Sequence, residues 1–185
     1  MRSVTVLAVF LLACLGAPAG AQIFGPPITG LCLLSRTSAI DASRAGQAMQ
    51  RQLRQMQSSL SSELAQSRAA LEQQRQALEA RRNATAPIEY QRQQAALDQQ
   101  IQALDQQQNA RFITAQQLGQ QQIDHALNEA LGRVVTRNSC SVVMDRDNSY
   151  GWNNAMDITG AVAREMDGLL QTVRLNDNVG ADLSR

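Results

Sequence analysis

Few side chains in this 185-residue sequence are suited to chemistry. His125 is the single histidine, and it follows Asp124 directly. An aspartate can orient a histidine base, but adjacent helix positions point in different directions. With no second histidine a typical metal site lacks its ligands, so His125 reads as a solvent-facing helix residue. Ser35, Ser38 and Ser43 have no plausible base nearby in sequence. Asp145 and Asp147 could do acid–base work or hold a weak cation, yet they open the stretch DRDNSYGW. That composition is a turn, where acids are common. Cys32 and Cys140 have no CxxC arrangement and no basic neighbour that clearly lowers a thiol pKa. An oxidising compartment would let them pair; buried free thiols are the alternative, and both stay open. Phosphate-loop, dinucleotide and zinc-finger signatures do not occur. These absences point to a protein that is not an enzyme and needs no cofactor or metal.

The first 21 residues bear on compartment. Arg2 precedes the apolar run VTVLAVFLLACLG, and the small residues APAGA follow. This is the layout of a secretory signal, cleaved after Ala19 or Ala21. The run is short for a membrane anchor, and LLAC is a poor lipid-modification box, with Leu12 two places before Cys14. Export as a soluble protein is the expectation. Without Arg2 the basic count falls from 17 to 16, equal to the 16 acids. All the basic residues are arginine. A neutral chain lacks the basic stripe of a nucleic-acid binder.

The elements that would position these residues fall into three segments. Aromatics are only 3% of the chain, and alanine and glutamine fill its middle, so a large compact core is not expected. Leu31–Leu34 follows turn signals at Pro26, Pro27 and Gly30 and reads as a short strand. Residues 44–137 are rich in helix formers. Met49, Leu53, Met56 and Leu60, then Leu64, Leu71 and Leu78, recur at coiled-coil spacing with a one-residue slip between the two series. The glutamine-rich stretch 91–112 carries Leu97, Ile101 and Leu104 as one stripe. A stronger series closes it at Ala126, Leu127, Ala130, Leu131, Val134 and Val135. Asn83, Thr85 and Pro87 break the pattern. Two helices, 44–82 and 88–136, each roughly 60–70 Å long by helical rise, should fold back as an antiparallel hairpin with its tip near 83–87. Its thin seam should make the arm marginal towards the tip.

Residues 138–175 complete the base. CSVVMD, 140–145, reads as a second strand. Asp157 or Thr159 should cap a helix whose apolar face is Ile158, Val162, Met166 and Leu169 or Leu170. The tail 176–185 is polar and expected to fray. Two strands make too small a sheet with too many open edges, which an oligomer would bury. The fold class is therefore α+β. A small β-base, 22–43 with 138–175, carries a long helical-hairpin, coiled-coil arm, 44–137.

With these elements in place, the chain resembles the Skp/OmpH family of periplasmic chaperones for outer-membrane proteins. The likeness covers nearly the whole mature chain. It rests on LCLLSRTSAIDASRAGQAMQRQL, with Ser43-Arg44-Ala45-Gly46 at the helix start. SVVMDRDNSYGW adds Val142, Val143, Asp145 and Tyr150, and Asp157-Ile158-Thr159 with Val162 opens the last helix. The resemblance implies a homotrimer whose strands build a central β-barrel body, with a third strand near Ser149–Trp152. Three helical tentacles would enclose unfolded outer-membrane proteins without ATP, in the periplasm. Leu31, Leu33, Val142 and Val143 would lie at the oligomer interface. Met49, Met56, Phe112 and Ile113 would touch clients or a neighbouring helix; for Leu53 and Leu60 a place in the hairpin core fits better. Peripheral contact with a membrane surface is a further partner in view; nucleic acid is not. One departure stands out: residues 44–133 carry ten arginines and eight acids, where tentacles of the family are often strongly basic and lysine-rich. Binding would then rest more on apolar contacts than on charge steering. The competing reading is a coiled-coil adaptor of the cell envelope without chaperone activity.

Overall fold

The computed structural model describes residues 25–175. The proposed signal, 1–21, and the polar tail, 176–185, lie outside them. Strand β1 (Leu31–Leu34) leads through Ser35 into helix α1 (Arg36–Ala42), and Ser43 leads into helix α2 (Arg44–Ala80). A one-turn 3-10 helix, Arg82–Ala84, forms the tip before α3 (Pro87–Arg137). Strand β2 (Val142–Asp145), two further 3-10 turns and α4 (Thr159–Leu169) complete the chain.

The local chemistry explains the boundaries. Ser35 Oγ accepts from Ser38 N–H and Ser43 Oγ from Gly46 N–H, each capping the helix that follows it. Between the two caps lies α1, a seven-residue helix that the apolar pattern of the sequence does not separate from its surroundings. The turn into α2 is tight: a Cβ on Gly46 would meet the Ile40 carbonyl oxygen at 2.0 Å, so only glycine fits. Pro87 starts α3, where its missing N–H costs nothing. For α4 neither Asp157 nor Thr159 is the cap: Ile158 holds that position without a side-chain bond, and Asp157 Oδ1, one residue earlier, accepts from Thr159 N–H at 2.8 Å.

Strands β1 and β2 pair in parallel, Leu31 opposite Val142 through Leu34 opposite Asp145. A parallel pair needs a crossover connection, and here the entire α2–α3 hairpin serves as that crossover. The expected third strand near Ser149–Trp152 does not form among the described residues. Arg146–Asn148 and Asn154–Met156 take 3-10 turns instead, and only a single-residue bridge, Leu33 to Asp157, extends the sheet. Within one chain, residues 149–152 have no strand beside them to complete a ladder.

The core sits at the base. Ile123, Leu127 and Val134 of α3 and Val162 and Met166 of α4 are fully buried. Cys32, Leu34 and Ile158 close the same cluster. Cys32 and Cys140 are joined by a disulfide, with Cα atoms 5.7 Å apart. Arg133 and Arg137 of α3 both reach Glu165 of α4, at 3.2 and 2.9 Å.

Candidate binding surface of the arm and its root

Beyond the base, the arm is held by a thin seam and a ladder of ion pairs. Leu60, Leu78 and Leu97 are buried between the helices, while Leu64, Leu71, Ile101 and Leu104 are only half-buried. Glu63 meets Arg111 at 2.9 Å, Arg68 meets Asp105 at 2.8 Å and Arg75 meets Asp98 at 2.7 Å. Each step towards the tip on α2 is matched by a step back on α3, which fixes one antiparallel register. Ala70, Leu71, Ala103 and Leu104 floor a shallow groove beside the seam, with Gln100 and Gln107 on its rim. A similar groove nearer the tip is floored by Ala77, Leu78, Ala96 and Leu97. At the tip the Tyr90 hydroxyl donates to Glu79, and Arg82 lies 5.7 Å from the Tyr90 ring centre. This hydrogen bond holds Glu79 below the usual carboxylate range and, for the same reason, keeps Tyr90 protonated to higher pH.

The root of the arm holds a wider groove of about 640 Å³. Gln52, Gln55, Met56, Ser59, Leu60 and Glu63 of α2 face Arg111 of α3 across it. Its near end is filled by the segment after α4. Val173 and Leu175 are buried there, 3% and 8% exposed, while Thr172 and Arg174 point outward. Gln122 holds that segment by its backbone: its Oε1 accepts from Arg174 N–H at 3.0 Å and its Nε2 donates to Arg174 C=O at 2.7 Å. Gln52 Nε2 donates to Thr172 Oγ1 at 3.0 Å. Gly119 makes room: a Cβ there would lie 2.8 Å from Leu175 Cδ2 and 3.1 Å from Met49 Sδ.

The residues singled out from the sequence divide accordingly. Met49 is core, 7% exposed, and packs beside Gly119 of the neighbouring helix near Leu175. Met56 is half-buried on the floor of the root groove beside Leu60. Phe112 is half-buried and Ile113 is 51% exposed, both near the level of Leu60. At the base, Val142 is 53% exposed and Leu31 and Val143 are half-buried, whereas Leu33 is buried at 4% within its own chain and has almost no surface to offer another. Met144, 52% exposed beside Val142, faces outward as well.

The candidate chemical groups are occupied in structural work. His125 lies exposed on α3. Ser35 is fully buried, donates to Asp147 Oδ2 at 2.6 Å and receives Ser38 N–H. Asp145 accepts from Asp147 N–H and Asn148 Nδ2, holding the turn that follows β2. Arg146 ties this corner together: it reaches Asp157 at 2.9 Å and Ser38 Oγ at 2.9 Å, and lies 5.3 Å from the Trp152 ring centre. Burial pushes the Asp157 carboxyl up, but hydrogen bonds from Thr159 and Arg146 outweigh it and hold the group below its usual 3.8. Among the described residues no three histidine, cysteine or acidic side chains gather as a metal site, and no helix is long and apolar enough to cross a membrane.

A two-stranded base carrying a long helical hairpin, with the β-strands on either side of the hairpin in sequence, is the architecture of this chain. The chain matches the family described as Outer membrane protein (OmpH-like) over residues 32–166 and belongs to that family. It is also similar to a crystal structure described as an OmpH-like outer membrane chaperone from Caulobacter crescentus CB15. The two share 27% identity, with a TM-score of 0.70 over 81% of this chain and 90% of that one. No curated protein matches the chain.

Proposed function

We propose that the chain is an ATP-independent holdase of the periplasm, which binds unfolded outer-membrane β-barrel proteins and keeps them from aggregating before membrane insertion. The observation that carries this reading is the arm. Two helices of 37 and 51 residues project from a small base and bury their leucines only partly. Such an arm offers a client many shallow apolar contacts and no enclosed catalytic cavity. Holding is then a kinetic service: a client kept on the arm cannot meet another exposed apolar segment or free strand edge. Membership of the OmpH-like family supports the same reading.

The base works as the joint of a homotrimer. Val142 and Met144 face outward from β2, Ile28 is 61% exposed nearby, and Tyr150 is fully exposed. A two-stranded sheet with this apolar surface gains from pairing with further copies. Three arms would then surround one client. Val142→Asp is expected to give monomers in light scattering after size exclusion; trimers would overturn the joint.

Dilution of a urea-unfolded outer-membrane β-barrel into buffer tests the holdase reading. Suppressed light scattering near one trimer per client, without nucleotide, is the expected result. Aggregation that persists at excess trimer would move the assignment to a coiled-coil adaptor. Because ten arginines meet eight acids over residues 44–133, client affinity should fall only modestly between low and physiological salt. A steep loss would assign the capture to charge.

A further inference from the structure

We propose that the root groove between α2 and α3 is a reading site for extended polypeptide with apolar residues at alternate positions. It deepens the holdase reading, on which it rests for the identity of the ligand, by naming a client's recognised segment and the residues that read it. The chain itself displays the binding mode. Residues 172–175 lie against the arm with Val173 and Leu175 inward and Thr172 and Arg174 outward, the alternation of a β-strand. Gln122 accepts the N–H and donates to the C=O of one residue, Arg174. This recognises backbone and ignores side-chain identity. A reader of that kind suits many clients, because strands of outer-membrane barrels share an apolar–polar alternation and little else.

The groove continues past the segment that fills its near end. From Gly119 to Arg111, α3 advances about 12 Å towards the tip by helical rise, a length that about four extended residues cover. Along that stretch Met56 and Leu60 form the floor, while Gln55, Ser59 and Arg111 line the same groove. The two floor residues accept inward apolar side chains. The rim polar groups can meet a bound peptide, as Gln122 meets the Arg174 backbone and Gln52 the Thr172 hydroxyl at the occupied end. The open stretch is thus continuous with a seat already shown to hold an extended peptide.

The test uses the full chain and two labelled ten-residue peptides of valine and serine, one alternating, one with the valines clustered. Fluorescence anisotropy should give about tenfold tighter binding of the alternating peptide. A photoreactive residue at one of its valine positions should cross-link to residues 55–63 of α2 or near Arg111. Met56→Asp should weaken the alternating peptide by about tenfold, and Ile88→Asp, at the tip, should leave it unchanged. Circular dichroism checks folding of both, and the cross-link in the unaltered chain tests the site even if Met56→Asp misfolds. Equal affinity for the two peptides would overturn the proposal. So would cross-links confined to the distal arm. Aggregation suppressed without peptide preference removes this inference and leaves the holdase standing; preference without suppression does the reverse.

Discussion

The base and the distal arm are built from different physics. The base is sealed: Ile123, Leu127, Val134, Val162 and Met166 are wholly buried, Ser35 and Ser43 spend their hydroxyls on helix caps and turns, and a disulfide crosses the sheet. Beyond Glu63 the hairpin buries Leu78 and Leu97 but leaves Leu64, Leu71, Ile101 and Leu104 half-buried, beside exposed ion pairs. The difference teaches where stability is concentrated. One end fixes the geometry and the other stays adaptable, and the root groove lies where they meet.

The largest break in this contrast should come from the disulfide. Its closed loop spans 108 residues, and chain entropy for a loop of about that length suggests about 4–5 kcal/mol. Replacing Cys32 and Cys140 by serine should lower the denaturation midpoint of the base strongly. A change below about 1 kcal/mol would show that packing alone holds it. Next in size, Ile123→Ala should cost about 2–5 kcal/mol and appear in global unfolding. Leu71→Ala, at a half-buried seam position, should cost less and show chiefly as faster amide exchange in the arm. Equal global effects from the two would erase the distinction.

Acid offers a sharper, smaller test. Asp157 titrates below its unfolded value, so its hydrogen bonds with Thr159 and then Arg146 contribute stability above the ordinary aspartate range. That contribution is lost as pH falls through the folded value. Denaturation midpoints should drop on acidification, and Asp157→Asn should flatten that limb while lowering the neutral midpoint. The smallest effect belongs to the ladder. Arg75→Ser should change global stability by under about 1 kcal/mol, with exchange faster only near Asp98. Uniformly slow exchange across residues 60–110 would contradict a marginal arm.

Much of this architecture was legible in the sequence because it rests on local rules. Leucine spacing and Pro87 marked the two long helices and their tip, and Ser43 marked where the first begins. The short strands were legible from turn residues beside apolar runs. Their parallel sense was not, since nothing in four residues encodes the direction of a partner over a hundred positions away. Helix α1 escaped because seven residues carry too little periodicity. A third strand was expected from likeness to a family, and residues 149–152 have no neighbour in one chain to pair with. Met49 could be read from sequence either as a client contact or as a contact with a neighbouring helix; packing against Gly119 of α3, near Leu175, gives the helix contact. The grip of Gln122 on Arg174 was invisible: one glutamine among many gives no sign that it will meet a backbone fifty residues later.

The parallel pairing of β1 with β2 sets the order of events when this protein folds. The two halves of the base stand on either side of the arm, so neither can close alone. Helix α2, the tip and α3 can form from local contacts, but Leu31 must wait for Val142. Topologies dominated by distant contacts form slowly. A chain cut short within the arm can have helices but neither the β1–β2 pairing nor the Cys32–Cys140 disulfide. The closed base is therefore a proof of completeness: only a molecule that has finished its arm can form it.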